Sequence, residues 1–329
     1  MKATATANAN IALVKYWGKR NEQLILPQNS SISMTCDGLR TTTTVEFSEK
    51  CKNDVVMIND EELKKDEKNI IWHLDRIRKM ARIDQKAKIF SKTNFPVAAG
   101  LASSASGFAA LTLAATAAAG VEMNEKELTI LTRMGSGSAC RSICEGFAIW
   151  HKGAQKDGKD SYAESIAKKD HWKEFRMITT IVTESKKKVS SRAGMAQTVK
   201  TSPYYKGWLD SIDSDLNKVR DGIKRKDLNA VGLASEENCL KMHALMMSTK
   251  PAIMYWHPAT VEIIHAVMQW REEGSQCYFT IDAGPNVKVM CLQKDEKELT
   301  KRLLALSGVK KMILCKPGDG AKIVKDHLF

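Results

Sequence analysis

An aspartate at the end of an apolar segment has the surroundings that most suggest chemistry. Asp282 follows the run Cys-Tyr-Phe-Thr-Ile and precedes the turn sequence Ala-Gly-Pro-Asn. β-Branched and aromatic residues that lead into such a turn predict a strand ending at Asp282. We expect the turn to expose the carboxylate at the strand end, where functional groups are common, instead of burying it. Considered alone, Asp282 could equally cap the turn with its side chain.

A loop of small residues precedes an alanine-rich stretch and could hold phosphate. It runs from Pro96 to Gly107 with the sequence Pro-Val-Ala-Ala-Gly-Leu-Ala-Ser-Ser-Ala-Ser-Gly. Small residues let a backbone approach a ligand, and the following helix offers free N–H groups to phosphate oxygens. Neither the Walker pattern GxxxxGK with Ser or Thr nor the Rossmann pattern GxGxxG is present. The alternative interpretation is a loop that only caps the helix.

The chain carries a strong positive charge. Its 329 residues include 51 Lys and Arg against 38 Asp and Glu, a formal net charge of +13. This balance suits an anionic partner such as nucleic acid, acidic lipid or a phosphorylated metabolite, and charge alone does not choose among them. Lysine runs such as 186–188 and 310–311 could equally be solvated surface. The length favours two domains with a cleft, with one large domain as the alternative.

The eight cysteines form no recognisable framework. There is no CxxC pair, and the N-terminus has no apolar signal core, which predicts a reduced, cytoplasmic protein. Cys140 and Cys144 lack a second Cys or His pair, so we expect small buried residues and no zinc site. The seven histidines are scattered and are expected to pack or to lie on the surface. The longest apolar stretch, 107–121, is too short to span a membrane.

Strand-like and helical patterns alternate irregularly, which predicts an α+β fold. Strands are predicted at 4–15, 41–47, 176–183, 277–282, 287–292 and 312–315. Helices are predicted at 66–82, 108–119, 206–247, 258–272 and 295–306, where apolar residues recur at helical spacing. The predicted strand at 176–183 would open a second lobe, which places the boundary between the lobes near residue 175, and the sequence shows no internal repeat, low-complexity tract or obvious linker.

Five motifs, in order along the chain, resemble the GHMP kinase superfamily and most closely its mevalonate diphosphate decarboxylase branch. They are Asn10-Ile-Ala-Leu-Val-Lys-Tyr-Trp-Gly-Lys-Arg-Asn21, Leu26-Pro-Gln-Asn-Ser-Ser-Ile-Ser33, Asn94-Phe-Pro96 with the Gly/Ser loop, Gly135-Ser-Gly-Ser-Ala-Cys-Arg-Ser142, and Asp282-Ala-Gly-Pro-Asn286. The loop 187–195 resembles the bacterial form, which has an arginine at 192. One departure is Ala7-Asn-Ala-Asn10, which replaces the usual Ala-Pro-Val-Asn or Ala-Ser-Ala-Asn and keeps the functional asparagine.

The resemblance implies a two-lobed α+β fold with a central cleft. Residues 1–175 would form an ATP-binding lobe similar to a ribosomal protein domain, and residues 176–329 would form a lobe that carries the catalytic aspartate. The implied reaction transfers a phosphoryl group from ATP to the 3-hydroxyl of mevalonate 5-diphosphate, and phosphate then leaves with CO₂ to give isopentenyl diphosphate. Magnesium would be held through the ATP phosphates, and the assembly would be a homodimer.

Four residues receive catalytic roles from this resemblance. Asp282 would face the 3-hydroxyl as a base or as a positioning acceptor, and Lys15 would keep it ionised and stabilise the transferring phosphoryl group. Arg141 would grip the substrate carboxylate through two parallel hydrogen bonds, a task that suits its planar fork. Asn10 would assist Arg141.

Two larger sets of residues are implied as ligand contacts. The substrate diphosphate would be bound by Tyr16, Trp17, Gly18, Lys19, Ser136, Gly137, Ser138, Ala139, Cys140, Ser191 and Arg192. ATP and its magnesium ion would be bound by Gly100, Leu101, Ala102, Ser103, Ser104 and Ala105.

Three other functions stay open at the level of sequence. The substrate could be mevalonate 5-phosphate, because the sequence does not count the phosphates that the basic pocket accepts. A kinase that only makes a 3-phosphate is disfavoured by the presence of both Lys15 and Asp282. A nucleic-acid-binding protein is compatible with the charge, but no basic stripe interleaved with aromatic residues is present.

Overall fold

Two β-sheets organise the protein, and the helices pack against them. The computed structural model describes residues 1–63, 67–95, 103–185 and 187–329. The strands in this part of the chain are β1 Lys2–Val14, β2 Lys19–Asn21, β3 Leu26–Pro27, β4 Ser31–Ser48, β5 Val55–Ile58, β6 Glu61–Glu62, β7 Lys86–Thr93, β8 Phe147–Trp150, β9 Ala163–Ala167, β10 Phe175–Ile181, β11 Tyr278–Ile281, β12 Val287–Leu292, β13 Lys311–Cys315 and β14 Lys322–Val324.

The helices alternate with these strands. They are α1 Glu67–Ala81, α2 Ser103–Ala118, α3 Glu125–Arg133, α4 Ser191–Thr201, α5 Tyr205–Arg225, α6 Leu228–Met247, α7 Pro258–Glu272 and α8 Glu296–Leu304, with a short 3₁₀ helix at Gly137–Ser142. Asn124 begins α3 with a capping box, because its side chain accepts from Glu127 N–H while Glu127 reaches back to Asn124 N–H. None of the described helices is long and apolar enough to cross a membrane.

The first sheet is built around two long strands. Its order is β14-β1-β4-β7-β5-β6, and β8 and β9 extend it from the first residues of β4. Strand β4 pairs with β8 through residues 31–34 and with β7 through residues 41–48. Helix α2 packs on β1 and β4, where buried alanines such as Ala7 and Ala110 allow close approach. Strand β14 pairs with β1, so the last part of the chain returns to the first sheet.

The second sheet has the order β11-β12-β10-β13 and is antiparallel throughout. Helices α7 and α8 cover one face of it, where Val267, Phe279 and Leu303 belong to one apolar cluster. Helices α5 and α6 pack against each other, and α6 contacts both β11 and β1. Strand β11 ends immediately before Asp282, so the second sheet carries this carboxylate towards the end of β1.

The two halves share a continuous apolar interior. The largest cluster of buried residues contains Ile11 and Leu13 from β1 together with Val231 and Met242 from α6 and Met290 from β12. A second cluster lies within the helices and sheet of the C-terminal half, and a third lies between α1, α2 and the first sheet. The apolar contact between halves therefore holds the ends of β1 and β11 in a fixed relation.

Most of the elements predicted from residue patterns are confirmed. Helix α7 spans the predicted residues 258–272, β12 spans the predicted 287–292, and the predicted helices at 66–82 and 295–306 correspond to α1 and α8. The elements that were not predicted are strands β2, β3, β5, β6, β7, β8, β9 and β14 and helices α3 and α4. Strand β7 reads Lys-Ala-Lys-Ile-Phe-Ser-Lys-Thr, a half-exposed strand whose lysines weaken the apolar pattern.

Candidate active site

Lys15 and Asp282 form an ion pair where the two halves meet. Lys15 follows the end of β1 and Asp282 follows the end of β11, and Lys15 Nζ lies 2.7 Å from Asp282 Oδ1. The ammonium group also donates to the carbonyl oxygen of Ala12 at 2.7 Å. Asp282 stands at a strand end as predicted, but it is half-buried and not openly exposed, because only 22% of its side chain is accessible. The turn residues and the packed end of β1 cover the carboxylate.

A second lysine, absent from the predicted site, contacts the same carboxylate. Lys288 lies in β12, is fully buried, and places Nζ 3.4 Å from Asp282 Oδ2 and 3.1 Å from the carbonyl oxygen of Asn286. Burial acts to raise the pKa of Asp282, but Lys15 and Lys288 outweigh it and hold that pKa well below its ordinary value. Burial lowers the pKa of Lys288 itself, opposed by Asp282. The signal in the sequence was a single lysine inside the apolar strand Val-Lys-Val-Met-Cys-Leu.

Lys187 is the third lysine near this carboxylate. Its Nζ donates to the carbonyl oxygen of Ala283 at 2.8 Å and to Ser191 Oγ at 2.8 Å. Burial lowers its pKa to about 8, and while the charge of Asp282 opposes this shift, the charge of Lys288 adds to it. The sequence placed this residue in a loop that could have been a solvated turn. The structure instead surrounds one carboxylate with three lysines, an excess of positive charge that suits an anionic ligand.

Arg141 and Asn10 form the second buried part of the site. Arg141 Nε donates to Asn10 Oδ1 at 3.1 Å and to Ser33 Oγ at 2.9 Å, and Nη1 donates to Ser31 Oγ at 2.5 Å. Asn10 Nδ2 donates in turn to the carbonyl oxygen of Ser138 at 2.9 Å. Arg141 is only 2% exposed, and burial lowers its pKa while the charge of Asp282 acts to raise it. Among the described residues, no carboxylate forms an ion pair with Arg141.

Tyr16 brings an unpaired hydroxyl to the same region. Its ring packs edge-on against Trp150 at 4.6 Å between centroids, and its hydroxyl oxygen is buried without a hydrogen-bond partner in the described chain. Burial raises the pKa of Tyr16, as does Glu22, whereas the charges of Arg141 and Arg192 act to lower it. A buried hydroxyl among positive charges is a donor suited to a phosphate oxygen.

The other predicted diphosphate contacts lie around Tyr16. Gly18 has φ +108°, and a Cβ there would lie 2.0 Å from the hydroxyl oxygen of Tyr205. The side chain of Lys19 is 3% exposed and pairs with the exposed Glu22. A Cβ at Gly137 would lie 2.9 Å from Trp150 and 3.1 Å from the Tyr16 ring, so glycine is required there. The remaining predicted residues of this group are Trp17, Ala139 and Cys140, which are buried, and Ser136 and Ser138, which are half-buried.

Ser191 and Arg192 stand in the first turn of α4. Ser190 begins this helix, since its side chain accepts from Ala193 N–H. Ser191 accepts the hydrogen bond from Lys187, which connects α4 to the turn after Asp282. Arg192 is exposed and donates to Asn69 Oδ1 of α1 at 2.8 Å, so its guanidinium bridges the two halves at the rim of the site.

Only the part of the predicted phosphate loop that belongs to α2, from Ser103 onwards, lies within the described residues. Gly100, Leu101 and Ala102 lie outside the described residues. Ser103, Ser104 and Ala105 form the first turn of α2, where Ser104 is exposed and no acidic residue is present. Buried Ser106 bonds to Thr41 Oγ1 at 2.7 Å and anchors this turn on β4. A helix N-terminus with exposed serine and no carboxylate fits the phosphates of ATP.

No protein cage for a metal is found among the residues that the structure describes. In this part of the chain, no three His, Cys, Asp or Glu side chains are grouped so that they could hold an ion. Seven of the eight cysteines are buried, including Cys140 and Cys144 as predicted, whereas Cys51 is half-exposed, and all eight are free. His73 and His243 are buried, and burial lowers the pKa of each to about 3, with Arg76 acting on His73 and Lys15 on His243. Both are therefore neutral side chains at neutral pH.

The two-sheet α+β fold and the lysine-rich site define a GHMP-kinase-like enzyme for an anionic substrate. Residues 7–163 match the diphosphomevalonate decarboxylase-like N-terminal domain, and residues 177–314 match the mevalonate 5-diphosphate decarboxylase C-terminal domain. These matches span more than half of the chain. The chain therefore belongs to the diphosphomevalonate decarboxylase family.

Solved structures and curated relatives agree with this assignment. The mevalonate diphosphate decarboxylase of Enterococcus faecalis is similar with a TM-score of 0.92 and 41% identity, covering 99% of each chain. That of Staphylococcus aureus has a TM-score of 0.93 and 39% identity over 98% of each chain. The human diphosphomevalonate decarboxylase is 36% identical over 308 residues, which are 88% of this chain and 76% of the relative. A complex with MVAPP, AMPPCP and magnesium is also similar, with a TM-score of 0.93 and 41% identity over 99% of each chain.

Proposed function

We propose that the protein catalyses the ATP-dependent decarboxylation of mevalonate 5-diphosphate to isopentenyl diphosphate, with release of ADP, phosphate and CO₂. The observation that carries this proposal is the ion pair of buried Lys15 with half-buried Asp282, together with Arg141, a buried cation without a carboxylate partner among the described residues. A buried charge without a counterion is costly, so the site is built for an anion that arrives with the substrate. Family membership supplies the substrate class.

Arg141 binds the carboxylate that is lost as CO₂. Its Nε and Nη1 atoms are occupied by Asn10, Ser31 and Ser33, which fix the plane of the guanidinium before substrate binds. A planar fork held in advance loses little entropy when it meets a carboxylate. Asn10 acts through Arg141, because its amide bridges Arg141 and the 3₁₀ helix.

Asp282 orients the 3-hydroxyl, and Lys15 stabilises charge beside it. The pKa of Asp282 is well below its ordinary value, so the carboxylate is ionised at neutral pH and accepts a hydrogen bond from the hydroxyl. A carboxylate with so low a pKa is a weak proton acceptor, which favours the positioning role over the role of a strong general base. The ammonium groups of Lys15 and Lys288 remain close by to stabilise negative charge that develops on the transferring group.

The diphosphate occupies the basic region next to Tyr16. The unpaired Tyr16 hydroxyl, the Lys19 ammonium and Arg192 at the rim supply donors, and Ser138 lies on the adjoining 3₁₀ helix. Hydrogen bonds to charged phosphate oxygens are stronger than bonds to neutral acceptors. The buried Tyr16 hydroxyl and the Lys19 ammonium thus favour a charged phosphate group at this position.

ATP supplies the phosphoryl group, and Mg²⁺ is held through its phosphate oxygens. Ser103 and Ser104 in the first turn of α2 are the described residues that fit the phosphates. We place the ATP-binding lobe at 1–175 and the lobe that carries Asp282 at 176–329, whose last strand, β14, pairs with β1 of the first lobe. A cytoplasmic location is supported by eight free cysteines, since disulfides are rare there. The homodimer rests on the family resemblance, and light scattering on the purified protein tests it.

One assay separates the proposed reaction from its relatives. ADP release and isopentenyl product are measured together, with either mevalonate 5-diphosphate or mevalonate 5-phosphate as substrate. We expect equal amounts of ADP and isopentenyl diphosphate, with higher kcat/KM for the diphosphate. A preference for the monophosphate would reassign the substrate, and ADP without an isopentenyl product would mean a kinase that stops at the 3-phosphate.

A further inference from the structure

The backbone that carries Lys15 is held by side chains instead of by a strand partner. After Val14 the chain leaves β1, and residues 15–18 form no regular element. Lys15 N–H donates to Asn238 Oδ1 at 2.7 Å, and the Lys15 carbonyl oxygen accepts from Asn29 Nδ2 at 2.8 Å. The Tyr205 hydroxyl donates to the carbonyl oxygen of Trp17 at 2.8 Å. Buried backbone groups need such partners, so these side chains decide where Lys15 stands.

Asn238 is itself fixed by a buried carboxylate. Asn238 Nδ2 donates to Asp215 Oδ2 at 2.7 Å, and Lys241 Nζ donates to the same oxygen at 2.6 Å. Asn238 is 0% exposed and Asp215 is 2% exposed. Asp215 lies in α5, while Asn238 and Lys241 lie in α6. A buried carboxylate between two helices is costly unless it is paired, so this group stabilises one particular arrangement.

The carboxylate determines which way the Asn238 amide faces. An ionised aspartate can only accept hydrogen bonds, so Asp215 must face the NH₂ group of Asn238. The amide oxygen then points to the opposite side, where the N–H of Lys15 requires an acceptor. An amide without such a neighbour could adopt either orientation. Lys241 donates to the same carboxylate oxygen and helps to hold Asp215 in this position.

Helix α6 also contacts the strand that leads to Asp282. Glu236 lies two residues before Asn238 in α6. Its Oε1 accepts a hydrogen bond from Phe279 N–H at 2.8 Å. Phe279 lies in β11, which ends just before Asp282. The same helix therefore holds the backbone behind both members of the Lys15–Asp282 pair, and it does so through buried polar groups.

We infer that Asn238, oriented by Asp215 and Lys241, is a positioning residue that sets the Lys15 ammonium group against Asp282. The inference rests on the proposed function, because it takes Lys15 to be a catalytic residue of the proposed decarboxylation. Asn238 is fully buried, and it acts through its hydrogen bond to the Lys15 backbone. Misplacement of a catalytic group by about 1 Å can lower turnover by about 10²-fold, so a lost bond at this position is expected to appear in kcat.

Two variants and one matched control test the inference. Asn238→Leu removes the acceptor, and Asp215→Asn is the milder change, which keeps Asn238 and removes the charge that selects its amide orientation and pairs with Lys241. The control is Asp54→Asn, because Asp54 is also a buried carboxylate that pairs with an arginine, Arg78, and accepts a backbone N–H, that of Ala87 at 2.7 Å. Asp54 stabilises the first sheet and α1 without contacting Lys15.

Three quantities are measured on the full-length protein. Hydrogen exchange at the Lys15 amide is expected to become about 3- to 10-fold faster in Asn238→Leu and less so in Asp215→Asn, because one hydrogen bond is lost or weakened. We expect kcat to fall by about 10²-fold in the first variant and about 10-fold in the second, with KM for ATP little changed. The acidic limb of kcat/KM should move to higher pH, since a more distant Lys15 lowers the pKa of Asp282 less.

Asp54→Asn should lower stability without any of these three changes. Unchanged Lys15 exchange and unchanged kcat in Asn238→Leu would overturn the inference, as would equal kinetic losses in Asp54→Asn. Hydrogen exchange at the Lys15 amide does not depend on catalytic activity. A failure of the proposed function can therefore be distinguished from a failure of this inference. If wild type made no isopentenyl product, or if Lys15→Met kept full turnover, the proposed function would be wrong while the exchange data still reported on Asn238.

Discussion

Lys288 holds its ammonium group 3.4 Å from Oδ2 of Asp282, the oxygen that Lys15 does not contact, and Lys288 is completely buried. The carboxylate is thus held from both sides, with Lys15 Nζ 2.7 Å from Oδ1. Two cations fix both the orientation and the ionisation of one aspartate. An ionised, immobile acceptor is suited to orienting a hydroxyl for phosphoryl transfer, which needs positioning more than covalent help.

Asp282→Asn should leave the fold and ATP affinity nearly intact while it removes product formation. Asparagine keeps the volume and one acceptor but loses the charge that pairs with Lys15 and Lys288. We expect the rate of ADP formation in a single turnover to fall by at least ~10²–10⁴. Near wild-type rates of ADP and isopentenyl diphosphate formation would show that Asp282 is only a turn cap.

Lys288→Met should make an acidic limb of kcat/KM visible at higher pH than in wild type. The folded pKa of Asp282 is depressed, so its ionised state is stabilised at all pH values above that depressed pKa and is lost as pH falls through it. Without Lys288, the pKa of Asp282 rises towards the ordinary value of about 3.9, and activity should be lost at a correspondingly higher pH.

A matched control for this change is Lys206→Met, which removes an exposed lysine that pairs with Asp210. It should leave the pH profile unchanged. A Lys288→Met profile identical to that of wild type from pH 4 upwards, with unaltered kcat, would mean that Lys288 serves packing alone.

Lys187 should give the enzyme an alkaline limb, because burial lowers its pKa to about 8. If its ammonium contributes to binding of phosphate, kcat/KM falls as pH rises through that value, and Lys187→Arg moves the fall to higher pH. Stability changes in the opposite sense. Between pH 8 and the unfolded pKa of about 10.4, the unfolded chain binds more protons than the folded chain, so unfolding free energy rises with pH.

Urea unfolding of wild type and Lys187→Met at pH 7.5, 9 and 10 checks the predicted rise of the unfolding free energy with pH. The rise in stability should be present in wild type and absent from Lys187→Met. Lys188→Met is the control, because Lys188 is exposed and adjacent. An alkaline limb that persists unchanged in Lys187→Arg would assign it to another group.

Tyr16→Phe should reduce substrate affinity without a loss of stability. The Tyr16 hydroxyl is buried without a partner in the described chain, so its removal relieves an unsatisfied group and stability should stay equal or rise by about 1 kcal/mol. A hydrogen bond to a charged phosphate oxygen contributes about 1.5–3 kcal/mol, which corresponds to an increase in KM for the diphosphate of about 10- to 100-fold.

Tyr205→Phe is the contrasting variant for this prediction. Its hydroxyl donates to the carbonyl oxygen of Trp17 at 2.8 Å, so its loss leaves a buried acceptor and should lower stability. Thermal unfolding and steady-state kinetics on both variants decide the matter. Destabilisation of Tyr16→Phe with unchanged KM would contradict a diphosphate contact.

Arg141→Met and Arg192→Met should have different kinetic effects. Arg141 is buried and held by Asn10, and its loss should lower kcat by ~10²-fold or more, because it grips the carboxylate through the transition state. Arg192 is exposed at the rim, and its loss should mainly raise KM for the diphosphate. Circular dichroism verifies that Arg141→Met is folded. Small and equal effects on both kinetic constants from both changes would remove these residues from the substrate site.

Local sequence determined much of the framework of this protein. The turn after Asp282, the apolar strand before it and the helical spacing of α7 depend on neighbouring residues, whose backbone preferences and periodicity can be read directly. The motif containing Lys15 also identified a residue that the structure places 2.7 Å from Asp282, although the two are 267 positions apart. Resemblance supplied that pairing, because spacing along the chain does not encode such a distance.

Tertiary structure decided which charges share the site. Lys288 looked like a polar interruption in an apolar strand, and Asn238 and Asp215 looked like ordinary polar residues in two helices. Their roles arise only when α6 packs against both β1 and β11 and excludes water from the polar groups between them. Burial makes each hydrogen bond and charge matter more, and burial is a property of the packed chain and not of any local segment. Asp282 is less exposed than its strand-end position suggested for the same reason, since Lys15 and Lys288 from distant parts of the chain pack against its carboxylate.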